Sequence, residues 1–245
     1  MTRLSVRITN RLVTILLVVA ALIHLPADGI SQNKETELFL PLGHASAVNN
    51  VAFTPDGKYL VSGGGGSIII WEVATGQELR KIKTEKPVTL VRLSKDGNYF
   101  AAAYETESDN ATIDIWDQKS YTKIHSLKSG LEAIEDMAFT SGNQLRAADN
   151  RTFKEWNIES GKELRSIEKG VPFRPIFSND ADFLFGSQFS ATSPVVWDAR
   201  LGKQTQSLST KRRHRHKAAS IDHLAASNNG KKLLSVATHT KITRP

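Results

Sequence analysis

The chain has 245 residues, of which 40% are hydrophobic and 23% charged, and that is enough to bury a sizeable core. It contains no cysteine, which excludes disulfides, thiolate catalysis and cysteine-ligated zinc or iron–sulfur sites. The net charge of +7 is concentrated, because Arg3, Arg7 and Arg11 stand near the N-terminus and five further cations fall within residues 211–217. The rest of the chain is close to neutral.

In chain order, the basic start is followed by an apolar run over residues 12–23 and then by Pro26, Ala27 and Gly29. A basic region, a short apolar region and a small-residue exit make a secretory signal pattern. The run is shorter than the roughly 20 residues of a spanning helix. Residues 1–27 are therefore expected to be a signal peptide cleaved after Ala27, or, left uncleaved, a signal anchor forming an N-terminal hydrophobic helix. The expected location is secreted or periplasmic, with a membrane anchor through residues 12–25 as the alternative. Residues 28–35 read as a linker.

From residue 36 the chain repeats. Trp71, Trp116, Trp156 and Trp197 close the apolar stretches "SIIIWEV", "ATIDIWDQ", "TFKEWNI" and "SPVVWDA", at spacings of 45, 40 and 41 residues. Ahead of each lies a turn ("TPDGKY", "SKDGNY", "TSGNQ", "SNDADF") and, before that, an apolar stretch ("VNNVAF", "VTLVRL", "IEDMAF", "FRPIF"). A second turn and another alternating stretch follow each tryptophan. Such a unit predicts four short strands separated by turns. A lone four-stranded sheet cannot hide both faces, so stacked copies are required. A fifth copy begins at residue 220, and "TELFLPLGH", residues 36–44, reads as a lone outer strand.

Gly43-His44 upstream, the 40–45-residue period, and the pairs Trp116-Asp117 and Trp197-Asp198 make the chain resemble the WD-repeat β-propellers. The resemblance covers residues 36–245. It implies an all-β propeller of four-stranded antiparallel blades, about five in number, either an open arc or a small closed ring. The repeats are placed at 36–77, 78–122, 123–162, 163–203 and 204–245. His44, Ser62 and Trp71 could supply members of the family's buried polar network in the first repeat, but glycines occupy the region of its aspartate. Trp71-Glu72 and Trp156-Asn157 are degenerate pairs. The blades are thus expected to rest more on apolar packing than on that network, and the run Gly63–Gly66 to lie in the second-to-third strand hairpin of the first blade and mark that blade as flexible and degenerate.

The same glycine run does not read as a phosphate loop. Ser67 and a β-branched "III" follow it, with no lysine near and no helix start to hold an anion. His214, His216 and His223 stand close in sequence, but interleaved Arg213, Arg215 and Lys217 disfavour a metal cation. Glu105, Glu107 and Asp109, and likewise Glu132, Glu135 and Asp136, read as solvated connections without calcium-ligand spacing. No nucleophile elbow occurs. Glu135, Asp136, Asp222 and His223 are the candidates for a channel-lining site, unmatched from blade to blade. The cluster Lys211, Arg212, Arg213, Arg215 and Lys217 is either a solvated loop or a contact for an acidic partner or anionic surface. It lacks the aromatics that stacked bases require, which disfavours nucleic acid.

The expected function is a non-enzymatic protein–protein interaction scaffold with no cofactor and unidentified protein partners. The alternatives are an extracytoplasmic propeller enzyme or small-ligand binder using the central channel, and a truncated product without independent activity.

Overall fold

The computed structural model describes residues 43–104, 110–187, 194–208, 220–226 and 233–238. The expected signal segment, N-terminal helix and linker, the strand start at 36–42 and the basic cluster at 211–217 lie outside these residues.

The first blade comprises β1 (Val48–Phe53), β2 (Tyr59–Gly64), β3 (Ser67–Glu72) and β4 (Glu78–Lys83). The second comprises β5 (Val88–Leu93), β6 (Tyr99–Tyr104), β7 (Thr112–Asp117) and β8 (Lys123–Lys128). In the third are β9 (Asp136–Phe139), β10 (Gln144–Ala148), β11 (Phe153–Asn157) and β12 (Glu163–Ile167). The fourth holds β13 (Phe173–Phe177), β14 (Phe183–Ser187), β15 (Pro194–Asp198) and β16 (Lys203–Ser207). All four are antiparallel meanders in sequence order. Each outer strand comes from the start of the next sequence repeat, so sheets and repeats are offset by one strand.

The expectation of five blades is corrected to four. Among the described residues the fifth copy contributes only β17 (Ser220–Ala226) and β18 (Leu233–Thr238), a two-stranded sheet.

Period-two alternation puts every second side chain on one sheet face, and neighbouring blades bury both faces. Ile68 and Ile70 of β3 pack with Val88, Val91, Phe100 and Trp116 of the second blade. Ile113 and Ile115 of β7 join Met137, Phe139, Leu145 and Trp156 of the third. Phe153 packs with Phe177, Leu184 and Trp197 of the fourth. Outer strands are wet, and β16 ("KQTQS") is exposed along its whole length. The preceding-side face of the first blade is also uncovered: Val51 is 50% and Phe53 61% exposed, whereas Val91, the counterpart of Val51, is fully buried.

Each tryptophan marks one recurring irregularity. The register between third and fourth strands shifts at Ile70/Trp71, Ile115/Trp116, Glu155/Trp156 and Val196/Trp197. A bulge there twists the outer strand and fits the bulky indole.

The glycine run lies in the β2–β3 hairpin of the first blade, as expected. Gly63 and Gly64 are ladder residues of β2, paired with Ile68 and Ser67, and only Gly65 and Gly66 form the hairpin loop. A Cβ on Gly63 would lie 2.4 Å from Val88 Cγ1, and one on Gly65 would lie 1.9 Å from Ser46 Oγ. The glycines are there because neighbouring chain comes too close for a side chain, while Gly66 supplies the positive φ of 77° that the tight loop requires.

Candidate functional site

The first blade brings its three polar sequence candidates together. His44 Nε2 lies 2.6 Å from Ser62 Oγ, and Trp71 Nε1 donates to the same oxygen at 2.7 Å. Ser67 Oγ, one residue past the glycines, lies 3.1 Å from His44 Nδ1. A serine therefore takes the place that the family resemblance assigns to aspartate. Burial, helped by the charge of Lys81, pushes the His44 pKa below its ordinary value and keeps the ring neutral. Although Ser62 and His44 resemble a nucleophile–base pair, Ser62 is buried and its hydroxyl is already taken by Trp71. No substrate carbonyl could reach it, so this network is structural.

The other tryptophans lack such a partner. Ala102, Ala147 and Gly186 stand where the first blade has Ser62, each two residues beyond the partner of its tryptophan. The indole nitrogens of Trp116 and Trp197 accordingly have no hydrogen-bond partner. Ring packing holds them instead: Trp116 stacks on Phe100 at 5.9 Å, and Trp197 tilts against Phe153 at 5.2 Å.

The residue after each tryptophan caps a turn. Asp117 Oδ1 accepts from the backbone N–H and hydroxyl of Ser120, both at 2.7 Å. Asn157 does the same with Ser160, at 2.8 and 2.9 Å. Asp198 accepts from the backbone of Arg200 and Leu201 and pairs with the Arg200 guanidinium at 2.9 Å. These bonds favour the carboxylate and hold the Asp117 and Asp198 pKa values down. Asn157, though degenerate in sequence, keeps the geometry because an amide oxygen accepts the same bonds.

The inner strands carry an arrangement only partly visible in the sequence. Asn50 Oδ1 on β1 accepts from Val91 N (3.2 Å) and Arg92 Nη1 (3.1 Å) on β5. Arg92 Nη2 donates to Asp136 Oδ1 at 2.6 Å on β9, and Asp136 Oδ2 accepts from Phe177 N on β13 at 2.8 Å. One polar ladder thus crosses the inner strands of all four blades. Asp136 is buried, not a residue of a solvated connection. Burial pushes its carboxyl up, while Arg92 and the Phe177 and Met137 amides favour the ionised form. A cavity of about 240 Å³ opens beside the ladder, lined by Arg92, Lys95, Asp136 and Asn179 among others. Asp136 was legible as a candidate, but Asn50 and Arg92 were not. They occupy non-equivalent strand positions, so a search for matched residues across repeats passes over them.

Glu135 accepts from Asn150 Nδ2 at 2.7 Å, and Glu132 pairs with exposed Arg151 at 3.0 Å. Glu105, Glu107, Asp109 and the cluster at 211–217 lie outside the described residues, and nothing is described of the side chains of Asp222 and His223. Among the described residues no group of three or more His, Asp or Glu could hold a metal, and no helix is long and apolar enough to cross a membrane.

The sheets, their tryptophan bulges and their capped turns define a protein of stacked propeller-type blades. The family described as "WD domain, G-beta repeat" matches residues 36–72. The chain is 33% identical over 97 residues to small ribosomal subunit protein RACK1 of Medicago sativa, a match covering 39% of this chain and 28% of that protein. It is 28% identical over 150 residues to U3 small nucleolar RNA-associated protein 15 homolog of Xenopus laevis, covering 59% of this chain and 29% of that one. The chain thus spans less than a third of the length of these curated relatives. A solved structure titled Kuenenia stuttgartiensis hydrazine synthase superposes with a TM-score of 0.64 at 15% identity, over 84% of this chain and 61% of that one, and this likeness shows the fold alone. Together these findings support a WD-repeat protein.

They also correct the expected location. Ribosomal-subunit and small-nucleolar-RNA-associated proteins are intracellular, which points to the cytoplasm or nucleus and not to a secreted, periplasmic or membrane-anchored chain. A basic start followed by a short apolar run is a generic pattern, and composition alone does not commit it to export.

Proposed function

We propose that this chain is a non-enzymatic scaffold for protein–protein interaction, built from WD repeats and acting inside the cell. The observation that carries the reading is the inner-strand ladder from Asn50 through Arg92 and Asp136 to Phe177. Its buried polar groups spend their hydrogen bonds on joining blades and leave no free nucleophile or base. A surface held in register this way suits binding, where pre-organised side chains reduce the ordering cost of association. The relatives, named as parts of ribosomal and nucleolar assemblies, support protein partners of a multi-component complex.

Within this reading the sequence repeats run 36–77, 78–122, 123–162, 163–203 and 204–245. His44, Ser62, Trp71, Trp116, Asp117, Trp156, Trp197 and Asp198 serve as structural repeat residues. Lys211, Arg212, Arg213, Arg215 and Lys217 offer a contact for an acidic partner.

The test is in-cell cross-linking of the tagged chain, followed by purification and mass spectrometry. A stoichiometric protein partner, retained after washing in high salt and absent from a tag-only control, is expected. A chain recovered alone overturns the scaffold reading.

A further inference from the structure

A second cavity, of about 390 Å³, lies where the β4–β5 connection of the first blade meets β7 and β8 of the second. Its lining includes two buried polar atoms with no partner, the acceptor Asp114 Oδ1 and the donor Trp116 Nε1. The Asp114 side chain is only 7% exposed and Trp116 only 9%. The Tyr104 hydroxyl, which donates to Asp114 Oδ2 at 2.9 Å, lies near the Trp116 N–H, but the two form no hydrogen bond of acceptable geometry. Native interiors seldom leave such groups unpaired, so two in one wall call for a ligand or for water.

Lys123 caps the pair. Its Nζ sits 3.0 Å from Asp114 Oδ2 and 5.7 Å from the centre of the Trp116 ring, and its side chain is 46% exposed. At the rim stand Lys83 and Lys86, both exposed, with Glu85 between them in the chain. Among the described residues that line the cavity, three lysines, Lys83, Lys86 and Lys123, outnumber the acids Glu85 and Asp114.

We propose that this cavity binds an acidic peptide segment of a partner protein, seating one backbone amide against Asp114 and Trp116 and its carboxylate side chains against Lys83, Lys86 and Lys123. A peptide group presents one N–H and one C=O, the complement of the free acceptor and donor in the wall. Rotation of the half-exposed Lys123 side chain uncovers both atoms and carries its ammonium to the incoming carboxylate. Thr112 and Ser126, both hydroxyl residues, line the same cavity. A free anion would use the lysines but leave the wall pair unmatched. The cavity volume falls within the range typical of ligand sites, roughly 300–1,000 Å³.

This inference rests on the scaffold reading and gives it a site. It is tested by fluorescence anisotropy with a fluorescein-labelled, end-capped pentaglutamate peptide and its pentaglutamine counterpart, at low and moderate salt. The acidic peptide is expected to bind saturably. Lys83→Ala/Lys86→Ala, a surface variant, should weaken binding about tenfold or more, because two rim charges are lost. Trp116→Phe, which keeps the stack on Phe100 but removes the N–H, should weaken it several-fold. Pentaglutamine binding equally well, or no change in Lys83→Ala/Lys86→Ala, overturns the proposal. So does competition by free glutamate or inorganic phosphate as effective as that by unlabelled peptide, since a lone anion cannot match the wall pair. If cross-linking still finds a partner while pentaglutamate fails to bind, the pocket assignment falls and the scaffold reading stands.

Discussion

Replacing Asp136 by alanine is the most direct test of the inner-strand ladder. The substitution removes the acceptor for Arg92 Nη2 (2.6 Å), for Phe177 N (2.8 Å) and for its neighbour's amide, Met137 N (2.9 Å). Removing one member of a buried ion pair costs about 3–5 kcal/mol, chiefly because the other charge is left uncompensated. Arg92 is 32% exposed in its side chain and keeps Asn50 and the Val91 carbonyl, so water and these acceptors soften the loss. The lower end applies, and about 3 kcal/mol is expected. At a urea slope of about 2 kcal/mol per molar, the unfolding midpoint falls by roughly 1.5 M. Urea unfolding followed by tryptophan fluorescence reads this shift. In a cycle with Arg92→Ala, the two substitutions together should cost less than their sum by about 1 kcal/mol or more, because the pair acts as a unit. A loss below about 1 kcal/mol for Asp136→Ala, or strict additivity in the cycle, would refute the claim that the ladder ties the blades together.

Four further outcomes are expected. Ser62→Ala leaves Trp71 and His44 without their shared oxygen and should cost about 1–2 kcal/mol in the same assay. Conversely, Ala102→Ser places a hydroxyl where the first blade has Ser62 and gives Trp116 a partner. It should stabilise the chain by about 1 kcal/mol, and a destabilised variant would count against the equivalence of the two blades. Gly63→Ala drives a Cβ toward Val88 Cγ1, 2.4 Å away, and overpacking of this kind costs about 1–3 kcal/mol. His44 titrates below its ordinary 6.5 when folded, so below that pH the unfolded chain binds a proton that the folded chain refuses. Stability therefore declines as pH falls from 6.5 toward the folded value. His44→Gln should flatten that slope in thermal unfolding monitored across the same pH range.

Most of the blade plan could be read in the sequence, because its signals are local. Alternation placed the strands, Asp-Gly and Asn turns placed the loops, and the tryptophans marked the third strand of every blade. The turn caps were also within reach, since Asp117, Asn157 and Asp198 bond to residues two or three positions away. The glycine run could be placed in the β2–β3 hairpin from the sequence, but its packing role could not. Four glycines in sequence signify backbone freedom, but Gly63 and Gly65 are small because Val88 and Ser46 come from outside the hairpin to meet them. The N-terminal segment misled, since its pattern is compositional and relatives of the chain point to another compartment.

The repeating unit is written locally in the chain. Strand order, turn chemistry and the apolar face of each sheet follow from steric preference and from periodicity within some forty residues. Tertiary structure alone decided which polar groups meet. Asn50 finds Arg92, Arg92 finds Asp136, and Asp136 finds the Phe177 amide across separations of 42, 44 and 41 residues. Such pairings depend on how adjacent blades are set against each other. The same stacking left Asp114 Oδ1 and Trp116 Nε1, on residues that line a cavity, without hydrogen-bond partners, since polar matching is fixed by geometry between sheets and not by the pattern within one.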